Sequence, residues 1–372
     1  MNHEVTKKQN LLNKNGNLNE PGYSKTEVFN YDRRQIKVPK FKIKEWDYYF
    51  VGNKKYGLCL TVGDNGYVGS LGFTHLDFEN LTEIDGADLI AFPMGKLKLP
   101  NTSSTGNILG KTKLTTIHFD NDGTTRHLHG IRKNFTTNKD LIIDIKLYNA
   151  PEESMYIATP FTKKKHFYYN QKINCLEVSG YYQIGDTRYE LNKENGSMAV
   201  LDWGRGVWTY DNTWYWSSLS TYLDDGSKIG FNLGYGFGDT SAASENMIFY
   251  NGKSHKIDLV DFGIPGDTEG NPRYMEDWHF TSNDNRLDLK FHPLYDRNTP
   301  IDFKLIAMLP HQVFGLFSGT LVLDDGTKVE IKDALGFAEK VHNKWWKYIN
   351  YKEKTIVYFI VNYSLLFLFI FF

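Results

Sequence analysis

Cysteine is nearly absent from this chain: Cys59 and Cys175 are the only two in 372 residues. That is too few for a disulfide scaffold or a Cys-rich zinc site, and it fits a reducing compartment. An excess of charge of one sign is missing too. Lys and Arg number 43 against 44 Asp and Glu, a formal net charge of −1, and with no basic stripe nucleic acid is not an expected partner. The first 30 residues lack the apolar core and small-residue cleavage site of a secretion signal, so the chain reads as cytoplasmic. There is no Gly-x-Ser-x-Gly elbow and no Cys/His dyad, which leaves covalent acyl chemistry without support. The glycine-rich run from Gly230 to Gly238 lacks the Gly-Lys-Ser/Thr of a phosphate loop, and its Gly234-x-Gly236-x-Gly238 has the wrong spacing for a dinucleotide fingerprint. No cofactor is expected.

Helical periodicity is scarce as well. The best candidate for an amphipathic helix, Lys332 to Lys347, carries Gly336 in its interior, a residue that weakens helices. What is abundant is apolar and aromatic mass, 41% and 15% of the chain, enough for one large core or two ordinary ones. Between about Phe41 and Trp346 it is arranged with period two. Leu141, Ile143, Ile145 and Leu147 alternate with Asp140, Asp144 and Lys146, and Leu287, Leu289 and Phe291 alternate with Arg286, Asp288, Lys290 and His292. Such alternation marks half-buried antiparallel strands. Hairpin signals separate the strands: Asp64-Asn65-Gly66, Asn121-Asp122-Gly123, Asp224-Asp225-Gly226, Asn251-Gly252 and Asp325-Gly326, where Gly or Asn accepts positive φ.

The expected class is therefore all-β, with two antiparallel barrels or stacked sandwiches in tandem, since so many strands exceed one eight-stranded barrel. The expected organisation is a flexible segment 1–22, a first barrel 23–195, a second barrel 196–348 and an apolar tail 349–372. Residues 356–372 carry no charge. As a helix those 17 residues would span ~26 Å against a hydrocarbon core of ~30 Å. The tail reads either as a membrane anchor, through which alone membrane contact is expected, or as a non-native product of a frameshift.

Chemistry concentrates in one stretch. Four of the eight tryptophans fall between Trp203 and Trp216. Trp203, Trp208, Trp214, Tyr215 and Trp216 offer apolar walls and π-faces able to steady a cation. Asp202 and Arg205 lie three residues apart and are read as an ion pair, with Asp202 a pre-aligned proton donor and Arg205 its orienter. His166, beside Phe167-Tyr168-Tyr169, and Glu245 are candidate proton acceptors, and Asn232 and Asn246 candidate polar ligand contacts. Against each stands a structural reading: barrel filling for the tryptophans, a clamp for the ion pair, an edge position for the histidine. His127-x-His129 puts two imidazoles on one strand face, but spacing identifies no third ligand, so no metal is expected.

Several of these residues carry a likeness. Thr159-Pro160-Phe161, His166-Phe167-Tyr168-Tyr169-Asn170, Asp202-Trp203-Gly204-Arg205-Gly206-Val207-Trp208, Gly230-Phe231-Asn232-Leu233-Gly234, Gly236-Phe237-Gly238-Asp239, Glu245-Asn246 and Gly336-Phe337-Ala338-Glu339 together resemble a bacterial family known as domain of unknown function 2804. The likeness spans roughly Tyr23 to Trp346 and stops where the apolar tail begins. More distantly the chain resembles the superfamily of double lipocalin-like barrels that includes carotenoid hydratases, tocopherol cyclases and Diels-Alderases. That resemblance implies two lipocalin-like barrels and a polyene or isoprenoid held between or inside them, protonated or folded without a cofactor. The expected partner is thus a hydrophobic small molecule in a barrel cavity, isomerised, hydrated or cyclised by acid catalysis. The alternatives are a non-catalytic lipid carrier and a carbohydrate-binding or glycan-processing β-protein.

Overall fold

The computed structural model describes the backbone of residues 2–302 and 307–344, with side chains for 2–300 and 307–344. Beyond these it describes only the backbone strands Ile349–Tyr351, Lys354–Val361 and Leu365–Phe371. The two readings of the apolar tail rest on side chains that lie outside the described residues. No α-helix occurs among the described residues, and only two 3-10 turns interrupt the strands, at Arg33–Gln35 and Lys40–Lys42.

The first sheet runs, neighbour to neighbour, through Thr82–Ala91, Val68–Asp77, Tyr56–Asp64, Ile43–Gly52, Met198–Val207, Phe167–Ile184, Lys139–Tyr148, Arg126–Thr136, Thr115–Asn121 and Ile108–Lys111. It curls until its two edges meet. Asp88 on Thr82–Ala91 accepts hydrogen bonds from Thr112 and from the Thr115 hydroxyl (2.6 Å), and pairs with Arg132 at 3.1 Å. The second sheet runs through Lys253–Lys256, Met247–Tyr250, Lys228–Tyr235, Asp211–Tyr222, Lys328–Lys344, Ala307–Val322, Leu287–Arg297, Trp278–Ser282 and Val260–Asp261. Its edges close through the Tyr235 and Phe262 rings, 5.0 Å apart, and through Arg286, which donates to the Lys256 carbonyl at 2.7 Å. The result is two antiparallel barrels in tandem, the class read from the alternation, and of the lipocalin-like kind the resemblance implied. The hairpin signals sit where expected: Gly66, Gly123, Gly226, Gly252 and Gly326 all have φ between 81° and 97°.

Period two then decides what each barrel contains. In the first, Leu58, Leu60, Val62, Leu71, Ile143 and Ile145 point inward and are fully buried; in the second, Phe231, Phe280, Phe291 and Phe317 do the same. Each such side chain contributes ~1.5–3 kcal/mol by leaving water. These large residues fill both barrel interiors, so the expectation of a guest inside a barrel gives way to a space between barrels, described below.

Three further expectations change. The helix expected over Lys332 to Lys347 is not formed over its described part: Lys328–Lys344 is one long strand. Residues 334–339 are buried without a break, because one face points into its barrel and the other onto the neighbouring barrel, and burial on both faces erases the alternation that identifies a strand. The boundary expected at 195/196 falls too early, since Met198–Val207 lies in the middle of the first sheet, and the second sheet begins at Asp211. Of the segment expected to be flexible, 1–22, the described residues 2–22 are packed. Val5, Leu11 and Leu12 are buried in the first barrel's core, and the His3 amide donates to the Ala242 carbonyl of the second at 2.8 Å.

Candidate functional site

The barrels meet along their outer faces, in a seam that collects aromatic and charged side chains instead of solvent. On the first barrel, antiparallel register sets Asp202 opposite both Lys172 and Tyr48, and Gly204 opposite both Asn170 and Trp46. All of these share the face turned to the second barrel. Gly204 is required there: a Cβ would lie 1.9 Å from Trp46 Cζ2, so only glycine lets the indole lie across the strand. The Trp46 ring meets Trp208 edge-on at 5.1 Å and stacks with Tyr168 at 6.3 Å. Phe237 completes this group, 4.9 to 5.4 Å from Tyr168, Trp208 and Trp214.

Asp202 is held by three donors. Asn170 Nδ2 and Lys172 Nζ reach Oδ1 at 2.6 and 2.9 Å, and Trp46 Nε1 reaches Oδ2 at 3.1 Å. With an ammonium among its donors, Asp202 is the ion-pair partner of Lys172 rather than the expected partner of Arg205. Its supposed partner is elsewhere. Residues three apart on a strand face opposite sides, and Arg205 points into the first barrel, where it pairs with Asp47 at 3.0 Å and lies 4.0 Å from the centre of the Trp203 ring.

Across the seam, Lys172 Nζ sits 3.7 Å from the centre of the Trp216 ring, a cation–π contact between the barrels. Trp216 Nε1 donates to Asn232 Oδ1 at 2.7 Å, and Asn232 in turn donates to the Glu245 carbonyl at 2.7 Å. The Glu245 carboxyl lies against Gly234, where a Cβ would come within 2.7 Å of its Cδ. Glu339 accepts from Trp214 Nε1 at 2.8 Å and from Gln312 Nε2 at 3.1 Å. Burial pushes the Glu339 carboxyl up to about 7, against the pull of the Trp214 hydrogen bond and the Lys172 charge. Glu245 is raised as well, by burial first and the Asp202 charge in addition, with Lys172 opposing. Three carboxyl groups around one ammonium in a poorly hydrated seam favour retention of a proton, and Glu339 is the group placed to exchange it near neutral pH.

The same faces continue into open space. A cleft of about 670 Å3 opens between the barrels, walled by Phe50, Met198, Val200, Leu335 and Phe337, with Lys54, Lys55, Asp224 and Lys332 among its polar residues. Val200 shares a strand face with Asp202, and Phe337 with Glu339, so the cleft begins one pleat repeat, about 7 Å, from the carboxyl cluster. Phe50, Phe314, Phe337 and Trp216 lie between the two, with ring centroids 4.9 to 5.9 Å apart.

Of the residues expected from the sequence, Asp202, Trp208, Trp214, Trp216, Asn232 and Glu245 come together in the seam. The others do not. Trp203 packs against Tyr31 and Tyr169 inside the first barrel, and Tyr215 stacks on Tyr235 at 4.3 Å inside the second. Asn246 accepts from the Gly234 amide and donates to the Asp258 carbonyl, both at 2.7 Å, as a loop fastener. His166 caps its own turn, with Nδ1 2.9 Å from the Lys164 carbonyl, and is buried among Lys42 and Lys163. The residues not singled out as site residues are Trp46, Tyr168, Asn170, Lys172, Gln312 and Glu339. Their signal was the alternation Trp46-x-Tyr48 and Asn170-x-Lys172, which places aromatic and polar groups together on a face that solvent would otherwise cover.

A family model described as "Domain of unknown function (DUF2804)" matches residues 2–345. No curated protein matches the chain. Among solved structures the chain is similar to a protein of Nitrosomonas europaea provisionally assigned as AttH, at 13% identity over 81% of this chain and 92% of that one, with a TM-score of 0.48. It is also similar to kievitone hydratase from Nectria haematococca, at 11% identity over 81% and 88% of the two chains, with a TM-score of 0.44. A third likeness is to CghA with Sch210972, at 9% identity over 90% and 98%, with a TM-score of 0.42.

Proposed function

We propose that this chain, which belongs to the DUF2804 family, binds a hydrophobic small molecule in the cleft between its barrels and moves a proton on it. The observation that carries this reading is that the apolar cleft of about 670 Å3 lies next to the Trp-lined carboxyl cluster, with only the rings of Phe50, Phe314, Phe337 and Trp216 between them. The volume lies within the range of small-molecule sites, and aromatic walls with few polar groups suit a lipid, isoprenoid or polyene. Protonation of a carbon–carbon double bond would leave a carbocation, which the faces of Trp46, Trp208 and Trp214 would steady. Glu339 would give the proton and Glu245 would recover one from a neighbouring carbon, which is isomerisation or cyclisation; capture of the cation by water instead would be hydration. Asp202 and Lys172 form the fixed ion pair beneath. Phe50, Phe314, Phe337 and Trp216 would yield or form the wall against which the reacting end of the ligand lies.

The test is native mass spectrometry of the protein purified from its own host, extraction of whatever co-purifies, and all-trans-retinol as a fluorescent isoprenoid probe. Leu335→Trp fills the cleft and is expected to weaken retinol binding by at least about tenfold, as lost apolar contact of 1.4 kcal/mol would. Unchanged binding in that variant overturns the site. Glu339→Gln is expected to retain affinity for the extracted ligand and lose its conversion. Affinity retained in the wild type without any conversion identifies a carrier and overturns the catalytic half.

A further inference from the structure

Outside the seam, strand register assembles a set of side chains that sequence spacing leaves incomplete. His127 and His129 stand on the outer face of Arg126–Thr136. Across one side, His118 lies directly opposite His129 and Asp120 opposite His127; across the other, Asp144 lies opposite His129 and Lys146 opposite His127. The neighbours Ile117, Phe119, Leu128, Ile143 and Ile145 point into the barrel and are buried, so this face is fixed by a rigid core. One ligand atom from each of His118, Asp120 and His129 lies within 4.8 Å of the other two, and all three residues are half-buried and accessible.

We propose that His118, Asp120 and His129 form a site for a divalent transition-metal ion, with Zn2+ the expected occupant. Metal bonds of ~2.0–2.2 Å set tetrahedral ligand atoms ~3.4 Å apart. His129 Nε2 and Asp120 Oδ2 are already 2.9 Å apart, and rotation of the side chains at a solvent-facing position closes the rest. Two imidazoles and one carboxylate select Zn2+, Co2+, Ni2+ or Cu2+ over the oxygen-seeking Mg2+ and Ca2+. Three protein ligands leave the fourth position to water.

The surroundings are those of a supported site. The His118 and His129 rings are parallel within 4° at 4.7 Å, and His127 stacks on His129 at 4.2 Å, which gathers the three rings on one face within reach of a shared ion once they turn. His127 is itself held by Asp144, with Nε2 2.7 Å from Oδ1, the carboxylate-backed imidazole common around bound metals. Asp120 and Asp144 carry two negative charges against one from Lys146, a balance that favours a cation. As plain surface chemistry the same residues would be two His–Asp ion pairs, but that reading assigns nothing to His118.

Isothermal titration of the full chain with ZnCl2, at pH 7.5 and with any purification tag removed, separates the two. The expected result is one Zn2+ per chain with a dissociation constant in the micromolar range or tighter, and visible absorption bands when Co2+ is used instead. His118→Ala and His129→Ala are each expected to weaken binding by more than about 100-fold, beyond the loss of an outer-shell partner, with the metal-free unfolding midpoint unchanged. Because imidazole must be unprotonated to ligate, binding is expected to fall on going from pH 7.5 to 5.5. Absence of Zn2+ binding at 100 µM, or His118→Ala binding like the wild type, overturns the proposal.

Discussion

At the scale of single residues, the seam concentrates unfavourable burial that has a measurable consequence. Glu339 is 8% exposed and its carboxyl is held up at about 7 from an ordinary 4.5. The folded chain therefore binds that proton more tightly than the unfolded chain does. The associated stability is fully present below pH 4.5 and is lost as the pH rises to 7, by an amount on the order of 3 kcal/mol. Glu339→Gln removes the titration while keeping shape and an acceptor for Trp214. Urea unfolding is expected to show the variant more stable than the wild type at pH 8, with the difference vanishing near pH 4.5. A difference independent of pH would mean that Glu339 is ionised in both states. The same scale explains the Asp202–Arg205 misreading. Proximity in sequence suggested an ion pair, but strand alternation puts the two on opposite faces, so Arg205 instead meets Asp47, 158 positions away in the chain.

At the scale of elements, one irregularity joins the barrels. In Phe167–Ile184 the register slips between Ile173 and Leu176, so Asn174 and Cys175 together oppose Val200, and Cys175 adopts a φ of 59°. This β-bulge turns Asn174 out of its own sheet. Its amide group donates to Ser218 Oγ at 2.8 Å and to the Leu219 and Phe231 carbonyls at 3.0 Å, all on the second barrel. The second barrel receives the bulge at Gly230, where an added Cβ would come 2.7 Å from Cys175 Sγ and 2.6 Å from the Leu219 carbonyl oxygen. Gly230→Ala is expected to cost about 1–3 kcal/mol. Cys175→Gly, which removes the sulfur and relaxes the positive φ, should recover more stability in that background than it gains alone; strict additivity in a double-mutant cycle would show that the two do not touch.

Element scale also separates what the sequence made legible from what it hid. Strands with one wet face, such as Lys139–Tyr148, announced themselves by alternation, and many hairpins by an Asn or Asp beside Gly; others, such as the Thr137-Asn138 turn, carry no glycine. Strands dry on both faces did not, which is why Lys328–Lys344 resembled a helix and the seam had no outline. The tryptophans and Glu245 were visible as residue types. Lys172 and Glu339 required knowing that they lie directly across from Asp202 and Trp216, 30 and 123 residues away, which is pairing information and not local pattern. His118 was hidden for the same reason.

At the scale of the whole molecule, the barrels are bound too extensively to behave as independent domains. Besides Asn174 and the aromatic seam, Arg297 of the second barrel donates to Thr74 at 2.7 Å and pairs with Asp85 at 2.9 Å on the first, and Lys228 pairs with Glu177 at 3.0 Å. The N-terminal segment ties both, since Val5 pairs with Tyr23 while Asn2 donates to Asp258 at 2.8 Å. Separating the barrels would expose Phe50, Phe314 and Phe337 and part Lys172 from the Trp216 ring. Two-state unfolding of the pair is then expected. The two buried free cysteines report on it, because both lie where the barrels meet: Cys59 in the cluster with Phe50, Phe314 and Phe337, and Cys175 against Gly230 of the second barrel. In a urea titration, thiol labelling of both should rise at the midpoint followed by tryptophan fluorescence, and a saturating guest in the cleft should move all three midpoints together by ~2.7 kcal/mol at 100 times its dissociation constant. If both cysteines become reactive at lower urea than the tryptophan transition, the barrels part before they unfold and two-state behaviour of the pair is overturned.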